Sequence, residues 1–153
     1  EPMRKLGLKA LNGRDAAIAV VLLVLAGVIH FAFELIRSGL ATQTHALTSI
    51  RLYHGLLLVI EALAYLLSAF REEIFYRAYV CSRLRDFGLN WTRIIILSAL
   101  IFSSAHIYQG WGLLPFHFAF GLIFAIAFLN YRSLWPLVVA HACYNLSLLA
   151  GSR

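Results

Sequence analysis

Residues 70–77 read FREEIFYR: two adjacent glutamates and two arginines at the end of a long apolar run. The chain around them has 153 residues, is 61% hydrophobic and 13% charged, and has a mean hydropathy of +0.80. An ordinary soluble domain is about 25% charged and about 45–50% apolar. A chain this short leaves a large share of its surface outside any core, so the apolar excess calls for lipid as solvent. Charges inside such a run need a partner, a proton or a function. The sequence thus predicts an all-α, polytopic membrane bundle with chemistry on its apolar helices.

A spanning helix needs about 20 mostly apolar residues. Five stretches approach this length: 15–36, about 50–85, 91–107, 113–130 and 133–150. They are separated by RSGLATQTH, RDFGLN, YQGWG and NYRS, breaks rich in glycine and polar residues. With no repeat and no long linker, residues 1–153 read as one domain whose motifs fall in 68–149. The opening EPMRKLGLKALNGRD superficially resembles a signal peptide. The apolar run after it is about twice a normal h-region and no A-x-A site follows, so a retained membrane helix is expected. As a straight helix, 50–85 would measure roughly 50 Å, beyond the roughly 30 Å of hydrocarbon. It must tilt, kink or protrude, and a break near Ser68–Arg71 is expected.

The net charge of +6 and pI near 9.8 do not argue for nucleic acid, because Lys and Arg lie mostly between the apolar segments. There they set topology and meet anionic headgroups of the bilayer. With the N-terminus inside, the inner segments hold Arg4, Lys5, Lys9, Arg14, Arg71, Arg77, Arg83, Arg85, Arg93 and Arg132. The outer segments hold Arg37, Arg51 and Arg153. The balance favours a cytoplasmic N-terminus. Cys81 and Cys143 sit within helix patterns, which fits neither a disulfide framework nor a metal knuckle. Two cysteines and a compact length point to a bacterial cell (inner) membrane.

An ionisable residue inside a membrane helix is a functional candidate, because burying it costs several kcal/mol unless something compensates. Here these are His54, Glu61, Glu72, Glu73, Arg77, His106, His117 and His141, with the polar Asn145. Arg83 and Arg93 flank the RDFGLN turn. Counted from them at 1.5 Å per residue, Glu72 and His106 both rise roughly 16–20 Å. From Arg132, His141 rises roughly 13 Å and Asn145 roughly 20 Å. Three helices therefore deliver Glu72, His106 and the His141/Asn145 pair to one level. Glu73 and Arg77 stand i, i+4, the order that favours a helix ion pair, and His141 and Asn145 share that spacing. His54, Glu61, Ser68 and Glu72 form a stripe that would line a water path or an inward seam.

Hydrolysis of a peptide inside the membrane suits this set. Glu72 would be the general base and His106 would hold the water in line. His141 and Asn145 would donate to the developing oxyanion. Glu73, paired with Arg77, would be structural. Simpler roles fit other residues: packing or hydrogen bonding for His117, interfacial or structural roles for His30, His45 and His54, and a structural role for Glu61. Interhelical hydrogen bonding is the rival role for Asn145. Cys143 is turned roughly 160–200° from His141 and Asn145 and is not expected as a nucleophile. Trp91, Trp111 and Trp135 read as interfacial anchors. One Glu and two His could form an open zinc site, but H-E-x-x-H is missing. No cofactor is expected, with zinc kept as the alternative.

EEIFYR (Glu72, Glu73, Arg77), FSSAH (Phe102, His106) and HACYN (His141, Asn145) resemble, in order and separation, the EExxxR, FxxxH and HxxxN motifs of the CPBP or ABI family. FGLIFA and SLWPLVVAH extend the likeness, which covers about residues 68–149. The family includes type 2 CAAX-prenyl endopeptidases and bacterial relatives linked to bacteriocin processing, self-immunity and C-terminal sorting signals. The resemblance implies an intramembrane glutamate protease, with Glu72 and His106 activating water, His141 and Asn145 as the oxyanion site, and no need of metal. Only one or two helices precede the first motif, fewer than in longer relatives. The expected substrate is a membrane-tethered protein or peptide, cut near its C-terminus. The competing classes are a non-enzymatic immunity or scaffold protein, a zinc-dependent membrane metalloprotease and a small proton-coupled transporter. The last is disfavoured by short length and lack of a repeat.

Overall fold

The computed structural model describes residues 7–10, 12–39 and 56–150. His45 and His54, and the start of the 50–85 stretch, lie outside the described residues. Every regular element among those residues is helical. Helix α1, Gly13–Gly39, starts at a reciprocal cap. Asn12 Oδ1 accepts from the Asp15 amide at 3.0 Å, and Asp15 Oδ2 accepts from the Asn12 amide at 3.1 Å. Two orphan N–H groups are satisfied this way at the threshold of an apolar helix.

Helix α2, Leu56–Glu73, runs on through a wider π-helical segment, Ile74–Val80, into α3, Cys81–Asp86. The break expected near Ser68–Arg71 is not there; the irregularity begins three residues later, directly after Glu73. Inserting a residue into a helical turn displaces carbonyls from the regular ladder, and side chains then supply donors. The Tyr76 carbonyl accepts from Ser98 Oγ at 3.0 Å and from Cys81 Sγ at 3.4 Å.

The RDFGLN turn closes on Gly88 at φ +75°, and Asn90 caps α4, Trp91–Ser104, by accepting from the Arg93 amide at 3.0 Å. Two single 3₁₀ turns, Ile107–Gln109 and Trp111–Leu113, flank Gly110 at φ 110°, ψ 143°, a conformation open essentially to glycine alone. Helix α5, Leu114–Tyr131, follows with a proline in its first turn, and α6, Trp135–Ala150, ends the described chain. Counting α2 to α3 as one rod, the described residues form five helical bodies.

Helix α5 is apolar on all sides and is the central one, with Phe116, Phe120, Phe124 and Phe128 buried. It packs on α4 and α1, while α6 packs on α1 and α2. The α4–α5 contact depends on Gly121, where an added Cβ would lie 2.9 Å from Ala99 Cα. Small residues at such crossings let backbones approach, as is common between membrane helices. The segment before α1 is tied to the α5–α6 turn: the Leu134 amide donates to the Gly7 carbonyl and Trp135 Nε1 to the Lys9 carbonyl, both at 3.0 Å.

By length and composition, two helical stretches among the described residues can cross a membrane, Gly13–Gly39 and Trp111–Tyr131; Trp91–Ser104 is apolar but shorter. Only 17% of the most apolar window of α1 is buried, and Val20, Val24, Val28 and Phe31 stand exposed. Helix α2 exposes Leu57, Leu63 and Leu67 in the same way. Such faces are unfavourable in water and suit acyl chains.

Candidate active site

The adjacent glutamates at the end of α2 part company. Glu73 is sealed in the bundle, its side chain 0% exposed, beside the equally sealed Arg77 at 3.2 Å. Glu72 sits at the edge of the same region, its side chain 16% exposed. Ser68, one turn earlier, donates its hydroxyl to Glu72 Oε1 at 3.0 Å, and the exposed Arg71 guanidinium lies 3.7 Å from the same oxygen. The other oxygen, Oε2, is buried and has no hydrogen-bond partner among the described residues.

That oxygen faces two imidazoles. His106 Nε2 and His141 Nε2 are each 3.8 Å from Glu72 Oε2, one from the turn after α4 and the other from α6. Their tautomers follow from their other nitrogens. His106 Nδ1 lies 2.8 Å from the Phe102 carbonyl, which can only accept, so Nδ1 carries hydrogen. His141 Nδ1 lies 2.8 Å from Glu73 Oε1 and donates to that carboxylate. In their neutral forms both rings therefore turn a bare nitrogen lone pair towards Glu72. Three acceptors facing one another need a donor between them, and 3.8 Å is too wide for a direct hydrogen bond.

Glu72, His106 and His141 are thus brought together, and His141 bridges the two glutamates, one on each ring nitrogen. Asn145 lies one turn beyond His141 on α6, half-buried, and its side chain makes no hydrogen bond among the described residues. Glu73 does more than pair with Arg77, because it also fixes the His141 ring. Of the stripe leading to Glu72, Ser68 makes contact, while Glu61 is half-buried two turns further back. Cys143 is exposed, away from the cluster.

Phe102 is the hub of the site. Its carbonyl holds His106, and its ring lies 4.5 Å from both the His106 ring and the Arg77 guanidinium carbon. Phe124 covers Arg77 from another side at 5.5 Å. Despite the short contact to Glu73, no Arg77 nitrogen has a well-aligned hydrogen bond among the described residues. Charge and aromatic faces, rather than a bidentate fork, balance this cation. His117 was expected to pack, and it does so directly on His106, with ring centroids 4.3 Å apart. The only sequence signal for this contact was that the two histidines flank the YQGWG turn, four residues before Gly110 and seven after it.

A cleft of about 270 Å³ opens beside the cluster, bounded by Glu72 and His106 and walled by Arg71, Phe75, Tyr76, Ala105 and Tyr108. As a metal site, the Glu72–His106–His141 set is wide. Bonds of about 2.0–2.1 Å in tetrahedral geometry would bring ligand atoms to about 3.3 Å. Among the described residues, no cluster of three His, Cys, Asp or Glu side chains is spaced to hold an ion.

Residues 54–147, well over half of the chain, match the family described as type II CAAX prenyl endopeptidase Rce1-like. No curated protein matches the chain, and no solved structure does.

Proposed function

The chain belongs to the Rce1-like family of type II CAAX prenyl endopeptidases, and from that premise we propose that it is an intramembrane glutamate-type endopeptidase whose base is Glu72. It cuts a peptide bond near the C-terminus of a membrane-tethered protein or peptide. The observation that carries this reading is the buried, unpartnered Glu72 Oε2, 3.8 Å from two imidazole nitrogens. A water placed among them donates one hydrogen to Oε2 and the other to His106 Nε2, which leaves an oxygen lone pair free for attack. Glu72 takes the proton as the oxygen bonds to the scissile carbonyl carbon. That proton then passes to the nitrogen of the departing amine as the C–N bond breaks.

The oxyanion falls to His141 and Asn145. His141 donates from Nε2 only as an imidazolium, because Nδ1 already donates to Glu73. Glu73, set between that ring and Arg77, holds the ring in place. Asn145, one turn on, has its amide free to turn to the same oxygen. The cleft walled by Phe75, Tyr76 and Tyr108 offers an apolar approach for the substrate. The reaction uses no metal. The N-terminus is assigned to the cytoplasmic side of the membrane on the distribution of Lys and Arg, and the membrane to a bacterial cell on the two cysteines and compact length.

Glu72→Gln preserves shape but cannot take a proton. At equal membrane abundance, it is expected to lower the cleavage rate of a prenylated CAAX peptide by at least about 100-fold. Wild-type cleavage by this variant would end the glutamate-base mechanism. Loss of activity to a chelator with rescue by Zn²⁺ would move the chemistry to a metal centre instead.

A further inference from the structure

His106 is not held by a helix. It follows α4, at φ −99°, ψ 10°, as the residue that opens the Ile107–Gln109 turn. A backbone at such a junction does not fix a ring, so the ring must be oriented by its contacts. One is the hydrogen bond from Nδ1 to the Phe102 carbonyl, which leaves rotation about that bond's axis open. Rings also meet His106: Phe102 at 4.5 Å, tilted by 46°, Tyr108 at 6.1 Å, and, nearest and most nearly parallel, a ring from the next helix. The buried His117 ring, in the first turns of α5, lies 4.3 Å from His106 with 22° between the planes, a stacked pair.

His117 is itself pinned. Its Nε2 lies 3.0 Å from Gln109 Oε1, and the Gln109 amide nitrogen donates to the Tyr108 hydroxyl at 3.0 Å. With the Gln109 oxygen turned to the histidine, His117 Nε2 carries the hydrogen and donates. Phe116 meets the His117 ring edge-on at 5.3 Å, and Ser103 Oγ donates to the Leu114 carbonyl at 2.8 Å, tying the end of α4 to the start of α5.

Resting on the proposed roles of Glu72 and His106, we infer that His117 is a positioning residue: its ring, latched by Gln109, is the surface that sets the plane of His106 and aims Nε2 at Glu72. His117 touches neither substrate nor water in this scheme. What it supplies is an aromatic face, so phenylalanine replaces it and an aliphatic side chain of similar bulk does not. Positioning errors near 1 Å cost up to about 100-fold in rate, which makes such a surface consequential.

The test uses the full chain in lipid vesicles with a prenylated CAAX peptide bearing a fluorophore and quencher across its C-terminal residues. His117→Phe, which keeps the aromatic face but loses the bond to Gln109, is expected to lower kcat only severalfold, as Gln109→Ala does, and His117→Leu to lose at least about tenfold more than that, both with KM nearly unchanged. Equal rates for His117→Leu and wild type overturn the inference, as does an equal loss in both variants. Should His117→Leu fail to fold, Gln109→Ala decides: this exposed residue is dispensable for packing, and the expected result is a severalfold loss in kcat. An unchanged rate there refutes the latch.

Nitrogen NMR of the histidine rings in micelles reads the stack without turnover. The His106 ring resonances are expected to move in His117→Leu and to hold in His117→Phe, and the reverse pattern refutes the stack. An active Glu72→Gln enzyme, or a wild type inert to the probe, would bring down the functional reading while leaving this arm to decide the stack.

Discussion

Glu73 and Arg77 set the terms for the other site residues, because both side chains are wholly buried. Removing one partner of such a pair strands a charge, typically at 3–5 kcal/mol, whereas replacing both is often tolerated. Arg77→Leu is therefore expected to destabilise the protein by about 3–5 kcal/mol, with Glu73→Gln in the same background recovering part of the loss. Thermal unfolding in detergent micelles measures both, and a wild-type melting temperature for Arg77→Leu would show that the pair carries no such weight. The ion pair was legible in the sequence, since i, i+4 spacing alone places those groups together. The bond from His141 to Glu73 was not. The two residues are 68 positions apart, and only packing decides which of two neighbouring carboxylates each imidazole meets. Helical rise brought Glu72, His106 and His141 to one level. The same arithmetic cannot see side-chain direction, so it missed the ring of His117 lying on His106 and the hub made by Phe102.

Helix starts were more legible than helix ends. The apolar run at 91–107 was read to its last apolar residue, but α4 stops at Ser104 because His106 belongs to the turn. The run at 15–36 begins two residues early as a helix, Gly13, because the Asn12–Asp15 cap extends it into polar sequence. The π segment had no local signal, as neither Gly nor Pro occurs between residues 68 and 85. Its stabilising donor, Ser98, comes from another helix. Tertiary partners also decide the fate of Gly121. Helix propensity alone favours Gly121→Ala by about 1 kcal/mol. Against this, the new Cβ would sit 2.9 Å from Ala99 Cα, a backbone atom that cannot swing aside, and overpacking costs about 1–3 kcal/mol. The clash is expected to win. Gly121→Ala should melt lower than wild type and lose activity beyond that, because α4 leads to His106 and α5 carries His117. A higher melting temperature would mean that the α4–α5 crossing has slack.

At the scale of the whole molecule, the distribution of charge and exposure distinguishes a lipid-facing surface from a wet one. Val24 near the middle of α1 and Phe87 in the turn after α3 are both apolar and both exposed, 58% and 79%. A water-soluble reading treats them alike. The membrane reading does not: Val24 lies about 17 Å along a helix that buries little of itself, whereas Phe87 follows Arg83, Arg85 and Asp86 at a charged boundary. A lysine at the centre of a spanning helix costs about 2.5–3.5 kcal/mol on insertion scales, and next to none at the interface, where the side chain reaches water. Val24→Lys is thus expected to reduce the membrane-inserted fraction markedly, and Phe87→Lys to leave it within error of wild type. Resistance of each variant to alkaline extraction from membranes, at matched synthesis, reads the two directly. Full insertion of Val24→Lys would place α1 outside the hydrocarbon, and the lipid-facing assignment of its Val20, Val24 and Val28 stripe would fall with it.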